Sequence, residues 1–207
     1  MNAPQEVVRQ GRKVAQVLEG ARAIFTRDGF EGASVDEIAR EAGVSKATLY
    51  SYFPDKRLLF MEVAKLECGR QADVACERMG LSGPPEDVLY DAASRLTRFF
   101  ISPFGRQVYR MCVSESDRFP ELGREFYASG PMMLRKMLVQ YLREAVARGQ
   151  LVIDDLELAA DQFPELCKAS IHAPLVLGIK TEFTDAELDR VIRGAVATFM
   201  ARYGAPR

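Results

Sequence analysis

The sequence lacks tryptophan and has a single histidine, His172, among its 207 residues. Its four cysteines, Cys68, Cys76, Cys112 and Cys167, are far apart and form no C-x-x-C pair. Zinc sites need clustered Cys and His side chains, so we predict no metal ion and no cofactor. In a reducing compartment the cysteines are most simply core thiols, with a thiol redox switch as the alternative.

Long hydrophobic runs are also missing. No apolar stretch approaches the roughly 18 residues that suggest a membrane span, and the N-terminus MNAPQEVVRQGRKVAQ lacks the apolar core of a signal peptide. We therefore expect a cytoplasmic protein with no membrane partner. The net charge of −1 excludes a protein that is basic overall, but it allows a small nucleic-acid-binding face on a neutral body.

Strand signals are scarce and helical periodicity dominates, so the sequence predicts an all-α fold of about nine helices. Two S/T-x-x-E capping boxes, Ser34 with Glu37 and Thr184 with Glu187, begin helices. Pro164 interrupts one predicted helix, which is either kinked there or begins there. The predicted helices cover approximately residues 5–27, 34–43, 45–53, 56–79, 86–101, 106–116, 131–149, 154–177 and 184–203.

Residues 34–53 have the pattern of a helix-turn-helix, in which two helices are joined by a turn of three or four residues. Gly43 lies in the turn, Ser45 caps the second helix, and Pro54 ends it. Leu49 and Phe53 are four residues apart and form the inner face of the second helix. These features predict a three-helix DNA-binding domain over residues 1–54, followed by a helical domain over residues 55–207.

The outer face of the second helix carries small and hydroxylated side chains, which can bond base edges and phosphates. Tyr50 and Tyr52 could instead cover the core with their rings. The basic residues Arg9, Arg12 and Lys13 could reach the DNA backbone from an N-terminal arm. The predicted DNA-binding residues are Ser34, Ser45, Lys46, Ala47, Thr48, Tyr50, Ser51, Tyr52 and Lys56.

The segment IFTRDGFEGASVDEIAREAGVSKATLYSYFPDKRLLF resembles the DNA-binding domain of the TetR family of bacterial transcriptional repressors. The resemblance rests on A-x-x-x-F-x-x-x-G-F (21–30), S-V-x-x-I-A-x-x-A-G-V-S (34–45), T-L-Y-x-Y-F (48–53) and D-K-x-x-L (55–59). It implies that Lys46, Ala47, Thr48, Ser51 and Tyr52 face the groove. It also implies that Tyr50, Lys56 and the start of the Ser34 helix hold phosphates. Residues 114–131 resemble the AefR-like subgroup.

For the C-terminal half, the resemblance implies an effector-binding domain that also forms a homodimer. Two apolar helix faces, in residues 156–176 and 188–199, are compatible with a four-helix interface or with an intramolecular core. Aromatic residues and methionines of the middle helices suit an apolar ligand but also suit a plain core. His172 could bond a ligand, sense pH or satisfy a local hydrogen bond. The candidate ligand residues are Phe100, Phe104, Tyr109, Cys112, Phe126, Tyr127, Met133, Met137 and His172.

We therefore predict a ligand-responsive transcriptional repressor that binds a palindromic double-stranded operator as a homodimer. The first alternative is a DNA-binding protein of the same fold without a small-molecule effector. The second is an enzyme with an appended helix-turn-helix domain, which the sequence disfavours because it shows no nucleophile–base pair and no phosphate loop.

Overall fold

The computed structural model describes residues 3–78 and 83–206, with the side chains of residues 11–67, 69–70 and 83–206. The side chains of Arg9, Cys68 and Cys76 lie outside the described residues. The described residues form eleven α-helices: α1 Ala3–Gly32, α2 Val35–Glu41, α3 Lys46–Tyr52, α4 Lys56–Arg78, α5 Pro85–Ile101, α6 Pro103–Glu115, α7 Pro120–Ser129, α8 Pro131–Ala147, α9 Leu156–Leu166, α10 His172–Val176 and α11 Asp185–Tyr203.

The predicted all-α fold is confirmed, and the two additional helices have local explanations. Helix α7 occupies a segment that was predicted as a break. Pro120 is compatible with this helix because it takes the first position, where proline is tolerated. The predicted helix over residues 154–177 is divided into α9 and α10. Pro164 lies in the last turn of α9, which begins at Leu156 and ends at Leu166, so the helix does not start at Pro164.

The chain divides into two compact units, and the first consists of Met1–Cys68 together with Gln107–Phe126. Its core contains a cluster of three aromatic rings. Phe60 makes edge contacts with Phe25 and Phe30, at centroid distances of 4.9 and 5.2 Å. Gly20 allows α1 to approach the end of α2, since a Cβ at this position would lie 2.7 Å from the backbone nitrogen of Ala42.

The second unit consists of Gly69–Arg106 and Tyr127–Arg207. In this unit α11 packs against α5 and α9, and α8 packs against α9. The aromatic residues Phe163, Phe199 and Tyr203 form a chain through the core, with centroid distances of 5.2 and 4.8 Å. An isolated antiparallel bridge joins Leu151 to Gly204 near the end of α11. The predicted functional boundary after residue 54 stays a prediction, because this division follows packing contacts only.

The second unit also accounts for the apolar helix faces that were considered for a dimer. The side chains of Ala159, Phe163, Leu188, Ile192 and Phe199 are buried in the core of the second unit. These residues therefore form an intramolecular core, which was the alternative to a four-helix dimer interface. Other aliphatic side chains of this unit are exposed, most strongly Leu177 (72%) and Ile179 (76%), with Leu158 at 50%.

Among the described residues, no helix combines the length and the apolarity needed to cross a bilayer.

Candidate nucleic-acid interface

The turn between α2 and α3 is a Schellman motif centred on Gly43. The N–H of Gly43 donates to the carbonyl of Arg40 at 3.1 Å, and the N–H of Val44 donates to that of Ala39 at 3.0 Å. Gly43 has a φ of 63°, which glycine adopts without steric cost. Because both hydrogen bonds satisfy the last carbonyls of α2, the turn fixes the direction in which α3 leaves it.

Serine side chains begin both helices of the motif. The Ser34 hydroxyl accepts from the N–H of Glu37 at 3.1 Å and donates to its carboxylate at 2.9 Å. The Ser45 hydroxyl accepts from the N–H of Thr48 at 3.1 Å and lies 2.8 Å from the Thr48 hydroxyl. The predicted caps are therefore confirmed, and both hydroxyls have a structural role whether or not they meet DNA.

Helix α3 has a buried side and an exposed side, as the sequence pattern predicted. Leu49 is 1% exposed and anchors the helix to the first unit. Lys46, Ala47 and Ser51 are exposed and Tyr50 is 42% exposed, while Thr48 and Tyr52 are half-buried. The structure thus brings the predicted groove-facing residues together on one short helix. Their contact with DNA stays a prediction.

Internal hydrogen bonds orient the hydroxyl groups on this exposed side. The Ser51 hydroxyl donates to the carbonyl of Thr48 at 2.7 Å. Its hydrogen is therefore used, and its lone pairs are directed away from the helix. In this arrangement Ser51 can accept a hydrogen bond from the amino group of adenine or cytosine in a major groove. Ala47 beside it offers a methyl group that can contact a thymine methyl.

The ammonium of Lys46 is held by a carboxylate from the start of α2. Lys46 Nζ lies 2.9 Å from Asp36 Oδ1 and 3.1 Å from Oδ2. The hydrogen bond and the charge of Asp36 raise the pKa of Lys46, so the ammonium stays charged. Asp36 was not among the residues predicted from the sequence. The pair could have been predicted from the sequence, because Asp36 lies in the first turn of one predicted helix and Lys46 lies at the start of the next.

Lys56 lies in a different environment from the one its predicted phosphate contact suggested. Its Nζ donates to the carbonyls of Phe30 at 2.7 Å and Ala33 at 3.1 Å, and it lies 4.4 Å from the centroid of the Phe30 ring. The ammonium therefore caps the end of α1. One of its three hydrogens remains for another acceptor, so the phosphate contact stays a prediction.

Arg57 connects the start of α4 to the end of α6 and to Phe119, the residue before α7, within the first unit. The guanidinium binds the carboxylates of Asp55 and Glu115, at 2.8 Å for the latter, and lies 4.1 Å from the centroid of the Phe119 ring. Hydrogen bonds from Arg57 lower the pKa of Asp55. Asp55 also accepts from the N–H of Arg57 at 2.8 Å and so caps the start of α4.

The predicted ligand residues are divided between the two units. Tyr109, Cys112 and Phe126 belong to the first unit, and the other six, Phe100, Phe104, Tyr127, Met133, Met137 and His172, belong to the second. Cys112 is 4% exposed, and its sulfur lies 3.7 Å from that of Met61. In the second unit, the rings of Phe100 and His172 make an edge contact with a centroid distance of 6.3 Å. Burial, followed by the charge of Lys168, lowers the pKa of His172 and favours a neutral imidazole.

A groove of about 600 Å³ on the second unit is lined by none of the predicted ligand residues. It lies along one side of α8 and includes Glu157 of α9. Arg135 borders it and donates to the Glu157 carboxylate at 2.7 Å. Its lining residues are Met132, Arg135, Lys136, Val139, Gln140, Arg143, Glu144 and Glu157. The groove is open and its lining includes side chains of both charges, so it is not a site for the apolar ligand that the aromatic residues and methionines suggested.

Two family comparisons cover both units. Residues 17–63 match the bacterial regulatory proteins of the tetR family, and residues 87–205 match the C-terminal domain of the AefR-like transcriptional repressors. The chain is 36% identical over 74 residues to the HTH-type transcriptional repressor AcnR of Corynebacterium diphtheriae. This match covers 36% of the chain and 38% of AcnR, so the chain spans less than two fifths of this curated relative.

Two solved structures resemble almost the whole chain. A TetR-family regulator from Mesorhizobium loti has a TM-score of 0.84 at 28% identity, covering 95% of this chain and 99% of that one. The flavonoid-responsive regulator FrrA has a TM-score of 0.67 at 34% identity, with the same coverage of 95% and 99%. The chain therefore belongs to the TetR family of bacterial regulatory proteins, with a C-terminal domain of the AefR-like class.

Proposed function

We propose that the protein is a transcriptional repressor that binds double-stranded operator DNA through α3 and is released by a small, mainly apolar ligand. The observation that carries the DNA-binding part is the exposed side of α3. Small and hydroxylated side chains lie there on a helix whose direction is fixed by the Gly43 turn. Such a helix fits a major groove, since neither Ala47 nor Ser51 blocks its approach to the base edges.

The proposed repressor acts as a homodimer on a palindromic operator. Two copies of α3 would enter successive major grooves about 34 Å apart, which matches a site with two-fold symmetry. The apolar sides of α9 and α11 are used inside the protomer, so the proposed dimer contact relies on other surfaces of the second unit. The exposed aliphatic side chains of Leu158, Leu177 and Ile179 are candidates for burial in that contact.

The proposed effector is an apolar molecule with aromatic rings. FrrA, which is similar to this chain over nearly its full length, is described as flavonoid-responsive. In the second unit, Phe99, Phe100 and His172 form a group of neighbouring rings, with centroid distances of 6.3 Å for both contacts. Planar aromatic ligands stack on such rings, and a neutral His172 can exchange one hydrogen bond with a phenol.

Footprinting on the DNA that flanks the gene tests the proposed DNA binding. We expect protection of a palindromic site with two half-sites one helical turn apart. Titration of a flavonoid panel against the bound complex then tests the effector, with long-chain fatty acids as a comparison class. Release by flavonoids but not by fatty acids supports the aromatic ligand. Absence of protection on any flanking fragment contradicts the repressor proposal.

One observation favours the alternative of a DNA-binding protein without an effector. Cys112, one of the candidate ligand residues, packs against Met61 as a core residue and is 4% exposed. If the remaining candidates also fill a core, no ligand would release the operator complex. An operator complex that resists the whole ligand panel, with no thermal shift of the free protein, would support this alternative.

A further inference from the structure

The helix-turn-helix segment is not basic, although its proposed partner is a polyanion. Residues 34–53 contain three acidic residues, Asp36, Glu37 and Glu41, and two basic residues, Arg40 and Lys46. Lys46 is the single charged residue of α3. Its ammonium is therefore the one full positive charge that α3 itself can bring to DNA.

In the free protein, the negative charge of Asp36 compensates the positive charge of that ammonium. The carboxylate lies 2.9 Å from Lys46 Nζ, and both side chains are open to solvent, at 72% for Asp36 and 50% for Lys46. Asp36 is in the first turn of α2 and Lys46 is the first residue of α3. The contact consequently places a negative charge beside the start of the proposed recognition helix.

Neighbouring cationic side chains in the first unit are also bound by carboxylate or carbonyl oxygens. Arg27 pairs with Asp28 and lies 3.5 Å from Glu37. The Lys56 ammonium is bound to the Phe30 and Ala33 carbonyls. The region around α3 therefore offers DNA phosphates less uncompensated positive charge than its number of basic residues suggests.

This arrangement affects specific and non-specific DNA binding differently. Non-specific affinity comes almost entirely from cations that neutralise phosphates and release counterions. A lysine paired with a carboxylate contributes little to it, and the carboxylate repels phosphates. A guanine edge, in contrast, presents the O6 and N7 acceptors, to which a lysine can donate directly.

We propose that Asp36 is a specificity-determining residue, which holds Lys46 and lets its ammonium bind DNA only where the operator presents a guanine edge at that position. The inference rests on the proposed operator-binding function of α3. Asp36 acts as a repulsive element against wrong sequences, a common means of gaining specificity. It is not itself a reader of bases.

The test compares Asp36→Asn with the wild type on two DNA fragments. One is the fragment protected in the footprint, and the other is a scrambled fragment of equal length and composition. We expect the variant to bind the scrambled fragment roughly fivefold more tightly at about 0.1 M salt, with a salt slope steeper by about one. Affinity for the operator should rise less, so the ratio of the two affinities should fall.

Glu165→Gln is the matched control. Glu165 is also an exposed carboxylate that holds a lysine, Lys168, but it lies on α9 in the second unit. The substitution changes the net charge by the same amount, so it should leave both DNA affinities within about twofold. An equal gain in Glu165→Gln would show that only total charge matters and would overturn the proposal.

Asp36→Glu and Lys46→Met complete the design. Asp36→Glu keeps the negative charge, so its ratio of operator affinity to scrambled-fragment affinity should equal that of the wild type. Lys46→Met should weaken operator binding and should reduce the effect of Asp36→Asn in the double variant, because the substitution then relieves only the repulsion between the carboxylate and the phosphates and releases no cation. Asp36 lies in the first turn of α2, where its charge favours the helix, so thermal unfolding of each variant checks the fold.

The outcomes separate the inference from the proposed function. If the wild type protects no DNA, the proposed function fails. If the wild type binds its operator while Asp36→Asn leaves binding to the scrambled fragment unchanged, the role of Asp36 is wrong. A selective loss of operator affinity in Asp36→Asn also overturns it, since Asp36 would then read a base directly.

Discussion

Gln107 of α6 accepts a hydrogen bond from the backbone N–H of Phe30 at 3.1 Å, next to the kink at the end of α1. The kink is at Gly29, which has φ 75° and ψ 179°. A Cβ on Gly29 would lie 2.3 Å from Gln107 Nε2. A middle segment of the chain is therefore fitted closely to the helix that precedes the helix-turn-helix.

Replacement of Gly29 by Ala should destabilise the protein. The backbone conformation at this position is accessible almost only to glycine and costs about 1–3 kcal/mol for other residues. Urea unfolding followed by circular dichroism measures the change. Gly11→Ala in the same helix is the control, because a Cβ there meets nothing within 4 Å, and it should stabilise by about 0.5–1 kcal/mol. Equal effects of the two substitutions would contradict the account of Gly29.

Replacement of Lys56 by Ala should have two separable effects. Loss of the bonds to the Phe30 and Ala33 carbonyls should lower the free energy of unfolding by roughly 1–3 kcal/mol. If Lys56 also contacts a phosphate, binding to all DNA sequences should weaken and the salt slope should fall by about one. Lys136→Ala on α8 matches the change in charge and should show neither effect. A loss of stability with an unchanged salt slope would remove Lys56 from the DNA-binding set.

Replacement of Ser51 by Phe should abolish operator binding and leave the fold intact, because the side chain is exposed and a large ring would block the groove. Ser114→Phe is a matched control. Ser114 is also exposed, and its hydroxyl donates to the carbonyl three residues earlier, at 3.2 Å compared with 2.7 Å for Ser51. Gel-shift titration measures binding. Unchanged affinity in Ser51→Phe would refute the assignment of this side of α3 to DNA.

The thiol of Cys167 should be unreactive in the folded protein. Cys167 is 0% exposed, and burial raises its pKa to about 12. The thiol thus remains protonated between pH 6 and about pH 9, and the nucleophilic thiolate is scarce. Treatment with iodoacetamide at pH 8, followed by peptide mass spectrometry, should show labelling of Cys167 only after unfolding in urea. Rapid labelling in the native state would contradict this expectation and would support the alternative of a thiol redox switch at Cys167.

The cap of α11 should lose its stabilising effect in acid. Glu187 binds Lys180 and accepts from the N–H of Thr184, and these contacts lower its pKa to about 2 from an ordinary value of 4.5. A lowered folded-state pKa stabilises the fold above pH 4.5, and this contribution is lost as the pH falls towards 2. The urea midpoints of wild type and Glu187→Gln should therefore differ at pH 7 and converge towards pH 3. A difference that does not depend on pH would exclude the carboxylate charge as its cause.

Local signals in the sequence predicted much of the fold. Ser34, Ser45 and Thr184 begin their helices with side-chain caps, and Gly43 and Gly149 follow their helices with positive φ angles. Each of these features depends on a few neighbouring residues, so the sequence is sufficient to identify it. The exposed side of α3 follows in the same way from helical periodicity.

Features that depend on distant residues could not be predicted in this way. The bonds of Lys56 to the end of α1 join residues 26 and 23 positions apart, and the Gln107–Phe30 contact spans 77 positions. Lys56 reads as a free surface cation in the sequence, and only the fold shows its carbonyl partners. The apolar sides of α9 and α11 are equally consistent with a dimer and with a core until the position of α5 is known.

The first unit is assembled from two separate stretches of the chain, Met1–Cys68 and Gln107–Phe126. During synthesis the N-terminal helices leave the ribosome well before α6 and α7. The contact of Arg57 with Glu115, and that of the Phe30 N–H with Gln107, can therefore form only after α6 has been synthesised. The first unit can complete its packing only after residue 126 has emerged, so a nascent chain arrested before that point should lack the contacts of Arg57 with Glu115 and of Phe30 with Gln107.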